Sequence, residues 1–128
     1  MVRKNMTNAE IYAIAMQLIE HISKANLCLP IKVNFYLQKN MTAILNIAED
    51  LEKNRNEILN KYGTLNAETG QYDFEVDKID EANKELADLF ALEQEVPIYE
   101  ISLDSFGDLP LDTNQVKAIS YMIKEEEE

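Results

Sequence analysis

The sequence has little of several residue types on which common functional sites depend. Among 128 residues there are one cysteine, one histidine, three glycines and no tryptophan. The single cysteine, Cys28, excludes an intrachain disulfide and favours a reducing compartment. One histidine and one cysteine cannot build a zinc site of the usual composition, and the glycines lie too far apart for a phosphate-binding loop. We therefore expect no metal, no cofactor and no enzymatic activity.

Long apolar runs are missing as well. No segment approaches the ~20 apolar residues that a membrane-spanning helix needs. The N-terminus leads into a predicted helix that contains Glu10 and Glu20, unlike the apolar segment of a signal peptide. These features predict a protein that does not bind membranes and is cytoplasmic.

Charge is abundant but unevenly distributed. The net charge is -12, and residues 1–63 carry eight Lys or Arg against six acids, whereas residues 64–128 carry four against eighteen. An anionic ligand should therefore prefer the first half, and a basic partner the second. The alternative is that the acidity only keeps the protein soluble.

Two capping boxes mark helix starts, Thr7 with Glu10 and Asp112 with Gln115. After Thr7, apolar residues recur at helical spacing and predict a first helix to about Lys24. From Pro30 to Tyr62 nothing breaks a helix, and Gly63 is a good stop. That span would reach roughly 50 Å at 1.5 Å per residue.

The predicted long helix carries an apolar seam with steps of four and three residues. We expect it to pair with the first helix of the same chain, with a second copy, or with both. The residues assigned to a homo-oligomer interface are Leu37, Met41, Ile44, Leu51 and Ile58.

The remaining chain predicts smaller elements. A hairpin turns near Gly70 into a strand from Tyr72 to Val76, a third helix begins at Asp77, and Pro97 to Leu103 forms a strand. The fold class is thus mainly α with a small β element (α+β): a long central helix, a helical hairpin, short strands and a C-terminal helix. We expect one domain over residues 1–128, with an acidic tail at 125–128 that frays.

One group of residues predicts a ligand site. Lys32, Tyr36, Lys39 and Asn40 follow i, i+4, i+7, i+8 spacing near the start of the long helix. Two ammonium groups, an aromatic ring and an amide could hold a phosphate and stack a base. The alternative is a solvated helix face. For His21 and Cys28 we expect a partly exposed or capping residue and a small core residue, respectively.

Several short segments match one protein family in order and spacing. They are Leu29-Pro30-Ile31-Lys32, Lys39-Asn40, Lys61-Tyr62-Gly63, Asn83-Lys84-Glu85-Leu86 and Ile101-Ser102-Leu103. Over about Leu29 to Ile123 the chain resembles a family of small phage and prophage proteins from Gram-positive bacteria, whose function is unknown. The resemblance implies a phage setting, in the cytoplasm of a bacterial host, and brings no catalytic residues.

In that setting two functions are sensible for a small non-enzymatic protein. We favour counter-defence by sequestration, in which the chain captures a host immune nucleotide signal or a basic host defence protein. The uneven charge motivates this hypothesis, because one half suits an anionic ligand and the other resembles nucleic acid. The alternative is an accessory role in assembly of the virion, for instance of its tail.

Overall fold

The computed structural model describes residues 1–25, 27–107 and 109–124. The elements that form the fold are six short strands and four α-helices in these residues. In chain order they are β1 (Val2–Thr7), α1 (Asn8–Leu18), α2 (Ile31–Tyr62), β2 (Gly63–Leu65), β3 (Tyr72–Phe74), α3 (Val76–Ala91), β4 (Glu93–Ile98), β5 (Ile101–Ser102), α4 (Thr113–Ile119) and β6 (Ile123–Lys124). The mainly helical fold class with a small β element is confirmed. The tail at 125–128 lies outside the described residues.

The helix starts that were predicted from capping boxes are observed. Thr7 caps α1 and accepts a hydrogen bond from the Glu10 amide at 3.1 Å. Asp112 and Gln115 form both hydrogen bonds of a capping box at the start of α4. Because the hydrogen bonds of a capping box join residues within four positions of each other, their formation depends little on the rest of the fold.

Helix α1 continues as a π-helical turn, Ile19–Ser23, so the first helical segment ends one residue before Lys24. α2 has the predicted limits, with Pro30 just before its first residue and Gly63 just after its last. A Cβ atom on Gly63 would lie 2.7 Å from the Phe74 ring, which explains why a residue without a side chain ends this helix.

The apolar seam of α2 packs within its own chain. Leu37, Met41, Ile44 and Leu51 are each at most 7% exposed, and α1 packs along this side of α2. Ile58, beyond this stretch, is partly buried. Of the pairings expected above, the one with the first helix of the same chain is observed. A homo-oligomer through these residues stays a prediction.

The strands form three two-stranded sheets. The predicted hairpin is β2–β3, antiparallel, with Gly63 opposite Phe74. The sequence did not predict β1, which pairs antiparallel with β4 from Val2 opposite Ile98 to Thr7 opposite Glu93. The strand expected over Pro97 to Leu103 is instead divided into β4 and β5, and β5 pairs in parallel with β6.

The third helix differs from its prediction at its start. α3 begins at Val76, with Glu75 rather than Asp77 at the capping position. Ala82 is its one fully buried residue, although α3 packs against α1 and α2. The main core lies between α1, α2, α4 and the β1–β4 sheet.

Candidate functional site

The structure brings three of the four predicted site residues together. Lys32, Tyr36 and Lys39 lie on the outer side of the first turns of α2, with both lysines exposed and Tyr36 partly buried. The Lys32 ammonium lies 5.8 Å from the centre of the Tyr36 ring. Helical spacing therefore placed these three residues correctly.

Asn40 does not belong to this exposed face, so its inclusion in the ligand-binding set was wrong. Its side chain is 0% exposed. Eight residues of helix rotate the position by about 80° from Lys32. That rotation moves Asn40 into the buried stripe, three residues after Leu37 and four before Ile44.

The buried amide of Asn40 has a structural task. Its oxygen accepts a hydrogen bond from the Tyr99 backbone N–H at 2.8 Å, and its nitrogen donates to the Tyr99 carbonyl at 2.9 Å. One side chain thus satisfies both backbone groups of a residue between β4 and β5. These two hydrogen bonds hold the Tyr99 backbone against α2.

Tyr99 and Phe35 complete the face, and sequence reasoning missed both. The Tyr99 ring stacks on Tyr36, with centroids 5.3 Å apart and planes at 28°. The Phe35 centroid lies 6.0 Å from that of Tyr36, with the planes tilted at 52°. Its position between the two lysines could have been found by helical spacing. Tyr99 is 59 residues from Asn40, and no local pattern indicated it.

We call Lys32, Phe35, Tyr36, Lys39 and Tyr99 the aromatic–lysine face. The Lys39 ammonium lies 5.3 Å from the Phe35 centroid and 5.9 Å from that of Tyr99. Both lysines are therefore within the range of cation–π contacts. The Phe35 side chain, at 56% exposed, is the most open of the three aromatic groups to a ligand.

The two lysines of this face are not engaged in ion pairs with the residues that the structure describes. Five of the twelve Lys and Arg residues form such ion pairs, namely Arg3, Lys4, Lys24, Lys53 and Lys61. Within the described ranges 1–25, 27–107 and 109–124, neither Lys32 nor Lys39 has a carboxylate within 4.0 Å. Ring faces balance their charge only in part, so an anion can still gain from contact with both.

The aromatic–lysine face can therefore bind a ligand that combines negative charge with a flat unsaturated ring. The ammonium groups suit phosphate, and the open Phe35 ring suits a base. Four of the five side chains of this face extend from a helix, and the fifth belongs to a loop residue whose backbone is fixed by Asn40. Ligand binding therefore costs less conformational entropy than it would at a flexible site.

Other concave regions occur among the described residues. A groove of about 570 Å³ is lined by Lys4, Glu100, Ser120, Ile123 and Lys124. There the Lys4 ammonium already donates to the Tyr121 carbonyl at 2.9 Å and lies 3.3 Å from Glu100. Of its two lysines, Lys4 already has these partners, and Glu100 adds a negative charge to the wall, so this groove is a weaker candidate for an anion than the aromatic–lysine face.

A smaller cavity of about 250 Å³ has walls of leucine, proline and Cys28. Cys28 is exposed, so the expectation of a core cysteine was wrong. His21 is partly buried, as expected, and its backbone carbonyl accepts a hydrogen bond from Gln115 at 3.4 Å. No cluster of three or more metal-ligating side chains occurs in the part of the chain that the structure describes.

Comparisons with protein-family models, curated proteins and solved structures give no match. Over the described segments, no helix is both long and apolar enough to cross a membrane. The geometry of the site is therefore the basis for assigning a function.

Replacing Asn40 by leucine should destabilise the protein by about 1–3 kcal/mol, because the Tyr99 N–H and carbonyl lose their buried partner. Urea denaturation measures the change. The matched control is Asn54→Leu, at an exposed position on the same helix, which should have little effect. Equal stabilities of the two variants would show that Asn40 does not hold Tyr99.

Proposed function

We propose that this chain is a phage- or prophage-encoded, non-enzymatic protein that acts in counter-defence by sequestering a host immune nucleotide in the bacterial cytoplasm. The aromatic–lysine face is the proposed binding site. The single observation that carries the proposal is a pair of lysines that form no ion pair within the described residues, Lys32 over the Tyr36 ring and Lys39 over the rings of Phe35 and Tyr99, in a chain of net charge -12.

The local charge supports an anionic ligand at this face. Residues 1–48 carry five Lys or Arg against two acids, although the whole chain is strongly acidic. A phosphate that approaches the first half of α2 is therefore repelled less than the net charge of the chain suggests. Of the acids near the face, Glu100 is paired with Lys4 at 3.3 Å, which reduces its effect on a bound anion.

The aromatic groups support a nucleotide over a simple anion. Stacking of a base on an aromatic side chain is worth about 1–3 kcal/mol, and it does not require a particular base. Phe35 is open for this contact, while Tyr36 and Tyr99 already stack on each other. The base would then lie beside Lys39, whose ammonium is 5.3 Å from the Phe35 centroid.

Sequestration requires binding and no chemical step. A protein that holds a signal molecule lowers the free concentration of that molecule to an extent set by its affinity and by the number of sites. The proposal therefore assigns the lysines to phosphate contact and the rings to stacking, and it assigns no residue to bond breaking.

Calorimetry against nucleotides, nucleosides and inorganic phosphate tests the proposal. Nucleotides should bind more tightly than either part alone, since only they use both the ammonium groups and the Phe35 ring. The panel should include linear and cyclic nucleotides, because the ring and phosphate are common to both. Absence of binding by every nucleotide would contradict the proposed function.

A second candidate is capture of a basic host defence protein by the acidic surface of α3. Glu81 and Asp88 are exposed on this helix, and Asp77 and Asp80 add two further exposed carboxylates. Glu85 is different, because it accepts hydrogen bonds from Lys61 at 2.9 Å and Tyr62 at 2.8 Å. These contacts lower the pKa of Glu85, Lys61 contributing most, and tie α3 to the end of α2.

If this surface binds a basic protein, Glu81→Lys with Asp88→Lys should weaken the interaction at least about tenfold, because two attractive charges become repulsive. Added salt should also weaken it, because surface charges are screened over ~8 Å at physiological ionic strength. Asp50→Lys with Glu57→Lys is the control on α2, since its residues are also exposed and seven positions apart. Pull-down of basic host proteins followed by titration provides the measurement. If both variants bind basic proteins as tightly as wild type does, the acidic residues of α3 serve solubility and not protein capture.

A further inference from the structure

A groove between α1 and α2 has no use in the proposed function. It encloses about 220 Å³ and has an apolar side and an acidic side. Its lining residues are Met16 and Ile19 from α1, with Leu45, Ala48, Glu49 and Glu52 from α2. We call these six residues the α1–α2 groove. The exposed side chains among them belong neither to the aromatic–lysine face nor to the main core.

The apolar side of the groove is formed mainly by the flank of α1. The buried stripe of this helix runs from Ile11 to Ile22, and Met16 and Ile19 lie beside it at helical spacing. Both stay exposed, at 39% and 38% respectively, although they are large and apolar. Together with Leu45 across the groove they make a contiguous apolar patch, which indicates an interaction site more strongly than single exposed residues do.

Ile19 has a further unusual feature, because it is the first residue of the π-helical turn Ile19–Ser23. Such turns are rare in proteins and occur frequently at functional sites. The departure from α-helical geometry thus coincides with the apolar end of the groove. It gives a second, independent reason to assign this surface a role.

The acidic side of the groove lies along α2. Leu45, Glu49 and Glu52 follow one another at spacings of four and three residues, so this wall changes from apolar to negative within about 10.5 Å of helix rise. The Tyr12 hydroxyl donates to Glu52 Oε1 at 3.0 Å and orients that carboxylate. Glu49 lies 4.0 Å from the Lys53 ammonium, and because both side chains are 69% exposed, this pair contributes little. Both carboxylates can therefore contact a cationic partner.

We infer that the α1–α2 groove binds a basic amphipathic helix of another protein. Helices that bind in grooves present apolar side chains at i, i+3, i+4 and i+7. The rise from i to i+7 is about 10.5 Å, which matches the rise from Leu45 to Glu52. The apolar anchors of the partner contact Met16, Ile19 and Leu45, and its Lys or Arg side chains contact Glu49 and Glu52.

Charge distinguishes this partner from other occupants of such a groove. Lys53 and Arg55 lie near the acidic wall, but neither lines the groove. A basic helix is attracted both by Glu49 and Glu52 and by the net charge of -12, whereas an acidic helix is repelled. A second copy of the chain carries the same net charge, which opposes self-association. The inference does not depend on nucleotide binding, because the groove shares no residue with the aromatic–lysine face.

Binding of three synthetic helical peptides of about 14 residues, measured by calorimetry with the full chain, tests this inference. The first has leucine at the i, i+3, i+4 and i+7 positions, lysine beside them and alanine elsewhere. The second replaces lysine by glutamate, and the third replaces leucine by serine. The first peptide should bind at least about tenfold more tightly than either of the others, because it alone provides both apolar anchors and positive charge.

Variants of the groove locate the binding site of the first peptide. Ile19→Ser should weaken binding at least about fivefold, because an apolar contact is lost. Val76→Ser is the matched control, since Val76 is 86% exposed on α3, and it should bind like wild type. Glu49→Lys should also weaken binding at least about fivefold, because attraction becomes repulsion. Asp50→Lys changes the net charge equally at an exposed position outside the groove, so its effect should be much smaller.

Several outcomes would overturn the inference. Equal effects of Glu49→Lys and Asp50→Lys, or equal affinity for the leucine and serine forms of the lysine peptide, would show only a general attraction between opposite charges. Binding that Ile19→Ser leaves unchanged would exclude the groove as the site. If sedimentation shows a wild-type oligomer that Ile19→Ser converts to monomers, the groove binds a second copy instead of a basic helix. None of these measurements uses a nucleotide, so their outcome is separate from that of the proposed function.

Discussion

Replacing Ile44 by glutamate is expected to unfold the protein. Ile44 is 0% exposed in the main core, so the variant either buries a carboxylate without a partner or loses the packing of α2. Such a substitution costs more than about 4 kcal/mol, a large part of the roughly 5–15 kcal/mol that stabilises a typical domain. Circular dichroism should show loss of the cooperative thermal transition.

Ile31→Glu is the matched control for this experiment. Ile31 begins the same helix, but its side chain is 89% exposed. The same substitution there should leave the thermal transition close to that of wild type. A different result would contradict the packing described above. If wild type is an oligomer and Ile44→Glu is a folded monomer, the apolar seam of α2 is a subunit interface.

Replacing both Lys32 and Lys39 by alanine should weaken nucleotide binding at least about a hundredfold. Hydrogen bonds to charged groups contribute about 1.5–3 kcal/mol each, and about 1.4 kcal/mol is tenfold in affinity. Both lysines are exposed, so solvent screening places the expected loss toward the lower end of that range. Calorimetry with the tightest-binding nucleotide of the panel measures it.

The stability of this double variant should barely change, because neither ammonium has a carboxylate partner in the described segments. Lys78→Ala with Lys84→Ala, at exposed positions on α3, removes the same charge elsewhere and should bind like wild type. If both double variants lose affinity equally, the net charge of the protein governs binding. Retention of full affinity by the Lys32 and Lys39 variant would exclude the aromatic–lysine face as the site.

The parts of the fold that the sequence predicted are those with local causes. The caps at Thr7 and Asp112 depend on residues within one turn, and α2 depends on an unbroken run between Pro30 and Gly63. β1 was missed because its stabilising partner is distant in sequence: Val2 pairs with Ile98. β4 contains Pro97, which a two-stranded sheet tolerates because each strand keeps one free edge.

The same distinction applies to the candidate site. Lys32, Tyr36 and Lys39 share a helix, so their spacing was sufficient to place them on one face. Tyr99 reaches that face only through tertiary packing and its hydrogen bonds to Asn40. Asn40 itself was misassigned because a polar residue at the edge of a helical stripe can point toward either side. Its burial depends on the distant backbone that it satisfies.

The measurement that tests the central claim most directly is identification of the molecule that the protein carries in a cell. Wild type and the Lys32→Ala, Lys39→Ala double variant are purified in parallel from defence-active bacteria, and heat-released small molecules are analysed by mass spectrometry. A nucleotide should come from wild type in an amount comparable to the protein, and little should come from the variant. Release of no such molecule from wild type, or of equal amounts from both proteins, would contradict sequestration at the aromatic–lysine face.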